Sequence, residues 1–187
     1  MNTITISGTP GSGKSTIAEL LKDKLALSYV YSGMIFRQLA KEYDMSLAEF
    51  GKYCEQHDDV DRKLDEKQVK ILKEGNVILE GRLAGWLAVI NDISAFKIWI
   101  DADPKIRAER VVNREGGSVS DQLSKLIERE KSEQKRYKQY YQLDISDTSI
   151  YDLTIDSSNR SPRQILSIIL KKLEKEDNDL SYKRKEG

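Results

Sequence analysis

A chain of 187 residues with one cysteine, Cys54, has no pair from which to build a disulfide framework, and this poverty fits a reducing compartment with the lone thiol packed as a small apolar group. There is one histidine, His57, and it stands in the polar stretch Glu55-Gln56-His57-Asp58-Asp59, where it reads as a solvated surface residue rather than an acid–base catalyst. Charge of one sign is missing too. The 31 lysines and arginines balance 31 aspartates and glutamates, which speaks against nucleic acid or an anionic membrane as the main partner and requires any basic site to be local. The N-terminal stretch lacks a basic region and an apolar run of export length, and no later stretch could span a bilayer, so a cytoplasmic protein without a membrane partner is expected. With no internal repeat or low-complexity linker, residues 1–187 are expected to form one domain, and a monomer.

What is present is Gly8-Thr9-Pro10-Gly11-Ser12-Gly13-Lys14-Ser15, followed by Thr16, which fills every fixed position of the phosphate-binding pattern G-x-x-x-x-G-K-[ST]. The β-branched run Ile4-Thr5-Ile6-Ser7 precedes it, and apolar residues at helical spacing follow from Ile17 to Leu25. Strand, loop and helix are the frame this motif needs. The glycines let backbone N–H groups approach phosphate oxygens at a helix N-terminus, Lys14 reaches the β- and γ-phosphates, and the Ser15 hydroxyl is placed for Mg²⁺.

Further strands are expected at Tyr29–Tyr31, Asn76–Glu80, Phe96–Asp101 and Leu153–Ile155, separated by helices. Ser32-Gly33 opens one helix, Ser46 and Glu49 form a capping box for another, and a charged helix runs from about Val60 to Leu72 and stops at Gly75. Asp103-Pro104 starts a helix that is interrupted at Gly116-Gly117; a charged helix then covers Asp121–Tyr141, and Ser161-Pro162-Arg163-Gln164 caps the last one, with a frayed polar tail after Lys175. This alternation predicts an α/β three-layer sandwich: a five-stranded parallel sheet with helices on both faces and ligands beyond the strands' carboxyl ends.

The absence of an evident base is informative. A nucleoside monophosphate brings an acceptor oxygen that is already ionised near neutral pH, so its phosphorylation needs positive charge and no base. Arg107, Arg110 and Arg114 share one helical face, and Arg129 and Arg136 share another across the Gly116-Gly117 turn. The interspersed glutamates also suit a salt-bridged surface, and on spacing alone the two readings balance; the phosphate loop tips them toward phosphate binding.

These segments, with Tyr31-Ser32-Gly33-Met34-Ile35-Phe36-Arg37, Val77-Ile78-Leu79-Glu80-Gly81-Arg82-Leu83-Ala84-Gly85, Arg107 to Gly116, and Arg129 to Tyr141, resemble a nucleoside monophosphate kinase of the archaeal cytidylate kinase type over nearly the whole chain. The resemblance implies that Arg37 and Arg82 hold the acceptor phosphate, with Ser32, Gly33, Asp61 and Gly81 around the acceptor. It places Arg110 and Arg114 at the start of a lid facing the donor, and has Arg129 and Arg136 bridge donor and acceptor. Glu80 stands where many relatives have an aspartate that orders Mg²⁺-bound water, and Met34 stands where an acidic residue is common. The implied insertion over the acceptor covers about 32–74 and a short, cysteine-free lid about 114–122. Within the insertion, Asp61 or Arg62 could bond a cytosine edge, while Asp58, Asp59 and Asp61 equally suit a solvated acidic turn.

The expected activity is ATP- and Mg²⁺-dependent transfer of a phosphoryl group to CMP or dCMP. The rivals are an adenylate kinase, a small-metabolite kinase such as shikimate kinase, disfavoured because Glu80-Gly81-Arg82 replaces its triple-glycine acceptor motif, and a nucleotide-gated switch.

Overall fold

The computed structural model describes residues 2–183. Five parallel strands, β1 (Thr3–Gly8), β2 (Ser28–Tyr31), β3 (Val77–Glu80), β4 (Phe96–Asp101) and β5 (Leu153–Asp156), form one sheet in the order β2-β3-β1-β4-β5. β1 is central. It pairs Ile6 with Glu80 of β3 on one side and with Ile98 of β4 on the other, so the carboxyl ends of three neighbouring strands open onto the loop that follows Gly8.

The alternation in β1 explains the layering. Ile4 and Ile6 point with Ile78, Ile98 and Ile100 against Ile17 and Leu21 of α1 (Lys14–Leu25) and Ile165 and Ile169 of α8 (Pro162–Lys183). On the opposite face Leu79 packs with Leu83, Leu87 and Ala88 of the α5 region (α5, Ala84–Ile90), Leu72 of α4 (Asp58–Glu74) and Tyr137 of α7 (Val119–Tyr141). Helices on both faces bury β1 and β3 completely, while the edge strands β2 and β5 stay partly exposed.

Between β2 and β3, α2 (Ser32–Glu42), α3 (Leu47–Cys54) and α4 form a separate small core of Ala40, Phe50, Cys54 and Val60. The Ser46–Glu49 capping box starts α3: the Glu49 N–H donates to Ser46 Oγ at 3.2 Å and the Ser46 N–H to Glu49 Oε2 at 2.8 Å. α6 (Pro104–Glu115) begins at the Asp103 cap, whose carboxylate accepts from the N–H groups of Lys105 and Ile106.

Several boundaries differ from expectation for local reasons. α7 starts at Val119 because Ser118 caps it through the Asp121 N–H at 3.1 Å, leaving only residues 116–118 outside helix between α6 and α7. α5 has no counterpart in the sequence reading; its seven-residue run is too short to show a helical period. The tail after Lys175, expected to fray, is helical as far as Lys183, continuing a surface with the Lys172–Glu176 pair at i, i+4, and its last residues, 184–187, lie outside the described residues.

Candidate active site

The loop after β1 takes its shape from its glycines and from a buried arginine. At Gly8, φ is 144°, and a Cβ there would run into the Ile100 carbonyl on β4. Gly13 caps α1 in the left-handed region with φ of 91°, and no side chain bonds the first N–H groups of that helix. An uncapped N-terminus behind a tight loop is an anion site. Arg107, 4% exposed, fastens the loop from beneath by donating to the Pro10 carbonyl at 3.2 Å and the Ala102 carbonyl at 3.0 Å, and it pairs with Glu130. It therefore braces the loop, although it shares a helix with Arg110 and Arg114. The Thr9 hydroxyl donates to Asp101 at the end of β4.

Lys14 is 8% exposed and its Nζ donates to the Thr9 carbonyl at 2.6 Å. Burial, with the Arg82 guanidinium close by, pulls its pKa down to about 7. Beside it, Ser15 Oγ donates to Glu80 Oε1 at 3.0 Å, and Tyr29 Oη donates to Glu80 Oε2. Glu80 is 1% exposed, so the end of β3 presents a fixed carboxylate next to a hydroxyl, an oxygen-only pair of the kind a hard divalent cation takes alongside phosphate oxygens.

From this loop a cavity of about 830 Å³ runs between the small helical core and α7. Its lining brings together Pro10, Gly11, Ser12, Gly13, Lys14, Ser15, Thr16, Ser32, Gly33, Arg37, Asp61, Glu80, Gly81, Arg82, Arg110, Arg114, Arg129 and Arg136. Gly8 and Thr9, the first residues of the loop, are not part of the lining.

The arginines are held by partners that spacing did not reveal. Glu133 on α7, 4% exposed, accepts from Arg82 and from Arg129 Nε at 2.8 Å. Burial would raise its pKa, but Arg82, Arg129 and Arg136 overcome this and hold it at about 2. Arg82 also donates to the Gly8 carbonyl. Arg136 Nη1 donates to both oxygens of Asp61, at 2.8 and 2.5 Å. Arg110 donates to Ser157 O at 2.7 Å, Ser157 Oγ at 2.9 Å and Ser12 O at 3.3 Å, tying α6 to the loop after β5. Arg114 is exposed and bonds Glu115, its neighbour, while Arg37 lies 5.4 Å from the Tyr31 ring.

Other expectations fall elsewhere. His57 is exposed and stacked on Tyr53 with ring centroids 3.9 Å apart. Cys54 is fully buried, and burial pushes its thiol up to about 12. Arg62 lies over the Tyr141 ring, away from the cavity lining, and Asp59 pairs with Lys63; the Asp58 side chain lies outside the described residues. The carboxylate of Asp61 is engaged by Arg136 and is not a solvated turn residue, because the side chain is 6% exposed. The sequence reading gave no site role to Tyr29, Asp65, Gln68, Glu133 or Ser157; the 61, 65, 68 spacing along α4 was the available signal for two of them.

The fold is shared with solved structures: a gluconokinase from Sinorhizobium meliloti superposes with a TM-score of 0.61 at 13% identity, covering 97% of both chains. A shikimate kinase from Bacteroides thetaiotaomicron superposes at 0.57 and 13% identity, covering 92% of this chain and 98% of that one. In sequence, the chain is 49% identical over 166 residues to the cytidylate kinase of Pyrococcus horikoshii, covering 89% of this chain and 85% of that protein. It is 48% identical over 167 residues to the cytidylate kinase of Methanocaldococcus jannaschii, covering 89% and 94%. The model of the cytidylate kinase-like family matches residues 3–159, and with the phosphate loop and the cavity's arginines from Arg37 to Arg136 inside that span, this chain belongs to the cytidylate kinase-like family.

Proposed function

We infer that the chain is a cytidylate kinase that transfers the γ-phosphoryl group of ATP to CMP or dCMP, giving the diphosphate. The observation that carries this reading is a single cavity in which the phosphate loop and Lys14 meet Arg37, Arg82, Arg110, Arg114, Arg129 and Arg136, with the one histidine outside it. A loose phosphoryl-transfer transition state calls for placed positive charge, and an ionised acceptor phosphate has no proton to surrender.

In this assignment the loop Gly8–Thr16 cradles the donor phosphates, and Lys14 exchanges its bond to the Thr9 carbonyl for phosphate oxygens. Recharging of Lys14 by the polyanion follows from its depressed pKa. Arg110 and Arg114 face the donor; Arg37 and Arg82 hold the acceptor phosphate, with Ser32, Gly33, Asp61 and Gly81 around the acceptor. Arg129 and Arg136 stabilise charge between the two substrates, and Glu133 fixes the fork of Arg82 and Arg129 beforehand. Ser15 and Glu80 would hold Mg²⁺, Glu80 through water; when bound, the cation neutralises charge on the transferring phosphates. Helices within 32–74 form the part that closes over the acceptor, and 114–122 acts as a short lid, together excluding water that would hydrolyse ATP. A monomer in the cytoplasm, without nucleic acid or membrane partner, completes the reading; among the described residues no helix is long and apolar enough to cross a membrane.

A coupled assay of ADP formation tests it, with CMP, dCMP, UMP, AMP and no acceptor. CMP and dCMP are expected to stimulate ATP consumption far above AMP. AMP as the best acceptor would turn the assignment to an adenylate kinase, and tight nucleotide binding without acceptor-stimulated turnover would turn it to a switch.

A further inference from the structure

One wall of the cavity carries a polar group that the phosphate chemistry does not use. Gln68 on α4 lines the cavity and is 5% exposed, yet its Oε1 is buried with no hydrogen-bond partner among the described residues. A buried acceptor without a donor is costly, so its persistence asks for a donor from a ligand. The orientation of the amide is chemically determined. Nε2 donates to Asp65 Oδ1 at 2.9 Å and lies 3.4 Å from the Leu64 carbonyl, both acceptors, so the amide nitrogen faces α4 and the oxygen is left over. Two neighbouring donors are spent: Tyr141 Oη donates to Asp65 Oδ2 at 2.7 Å, and Ser32 Oγ donates to the Glu80 carbonyl at 2.6 Å. Oε1 lies over Gly81, where a Cβ would come to 3.1 Å from it.

We propose that Gln68 Oε1, aimed by Asp65, accepts a hydrogen bond from the exocyclic amino group of the acceptor's pyrimidine and thereby discriminates cytosine from uracil. This rests on the cytidylate kinase reading and moves base recognition from Asp61 and Arg62 to the next turns of α4. An amino group at C4 gives Oε1 its donor. A carbonyl at C4 puts one acceptor against another inside a desolvated wall, and a site that hydrogen-bonds a substrate N–H rejects the analogue lacking it more strongly than shape alone allows. Asp65 is the positioning residue, since its carboxylate anchors the amide nitrogen and prevents the flip that would present a donor.

The test compares kcat/KM for CMP, UMP and the 5′-monophosphate of pyrimidin-2-one riboside, which lacks only the C4 amino group, in the wild-type protein and in Gln68→Leu. In the wild type the pyrimidinone substrate is expected to fall roughly 10- to 100-fold below CMP, the scale of one lost buried hydrogen bond. Gln68→Leu should lose about the same factor with CMP, change less than about threefold with the pyrimidinone, and narrow the CMP to UMP ratio. Unchanged affinity for ATP shows that the variant is folded, and the wild-type comparison needs no variant. Equal use of CMP and the pyrimidinone by the wild type, or an unaltered ratio between them in Gln68→Leu, overturns the proposal while leaving the kinase reading intact. Failure of the wild type to use CMP at all overturns the kinase reading itself.

Discussion

Arg136 on α7 and Asp61 on α4 form a buried ion pair, 3% and 6% exposed, that joins the helices between β2 and β3 to the long helix carrying Arg129. Two hydrogen bonds from one guanidinium nitrogen satisfy the carboxylate, while Arg136 Nε is left buried without a partner. The pair therefore has a structural share and, in the proposed mechanism, a catalytic one.

The two shares separate in a double-mutant cycle. Arg136→Met strands a buried carboxylate and should cost about 3–5 kcal/mol of unfolding free energy, whereas adding Asp61→Leu should restore most of it. Urea unfolding measures stability, and turnover with CMP measures activity. The double variant should be folded yet slow by roughly 10²-fold or more in kcat. Recovery of full activity along with stability would confine Arg136 to a structural role.

Lys14 should take up a proton when ATP binds. With its pKa near 7 in the free protein it is mostly neutral at pH 8, and the triphosphate restores the charge. Calorimetry in buffers of different ionisation enthalpy should show uptake approaching one proton per ATP at pH 8 and much less at pH 6. Lys14→Met should abolish the uptake and lose most turnover. Binding at pH 8 without proton uptake, or a kcat for Lys14→Met within a factor of two of wild type, contradicts the role given to Lys14.

The phosphate loop, the parallel sheet and the arginine positions were legible because each has a short-range signature: fixed spacing in Gly8–Ser15, β-branched runs ending in Glu80 and Asp101, and helical periodicity at Arg107, Arg110 and Arg114. Periodicity gives the face of a helix but not its neighbour, so Arg107 looked equivalent to Arg110 although it is buried beneath the loop. Glu133 and Gln68 were illegible for the same reason, their meaning arising from long-range contacts with Arg82 and with the space above Gly81. The pairing of Asp61 with Arg136 was not legible, because the partner lies 75 residues away on α7.

The arginine groups should divide kinetically. In the proposed assignment Arg82→Ala removes a contact to the acceptor phosphate made in ground and transition states, so the KM for CMP should rise strongly and that for ATP less. Some loss of kcat is expected as well, because Arg82 also ties Glu133 to the Gly8 carbonyl. Arg114→Ala, at an exposed position, should leave stability nearly unchanged and lower kcat by roughly 10²-fold. Steady-state kinetics with each substrate varied decides; an Arg114→Ala effect limited to the KM for CMP contradicts the division.

Asp65 gives a pH signature of stability. Burial raises its pKa to about 7, against the ordinary 3.8, despite the hydrogen bond from Tyr141. A carboxyl with a raised folded pKa binds more protons folded than unfolded, so its contribution worsens as pH rises from about 4 to about 7 and is constant above that. Asp65→Asn should therefore gain stability relative to wild type across this window, on the order of a few kcal/mol by pH 8. Urea midpoints at pH 4.5, 6 and 8 measure it, and a difference that does not change with pH contradicts a buried, reluctantly ionised Asp65.

The central claim is phosphoryl transfer from ATP to a cytidine monophosphate, and following the γ-phosphate tests it most directly. Mixing the protein with Mg²⁺, ATP labelled at the γ-phosphate and CMP, then separating the products, should place the label on the β-phosphate of CDP, in equal amount to the ADP formed. Label released as inorganic phosphate, or transferred to AMP in preference to CMP when both are present, would contradict the account.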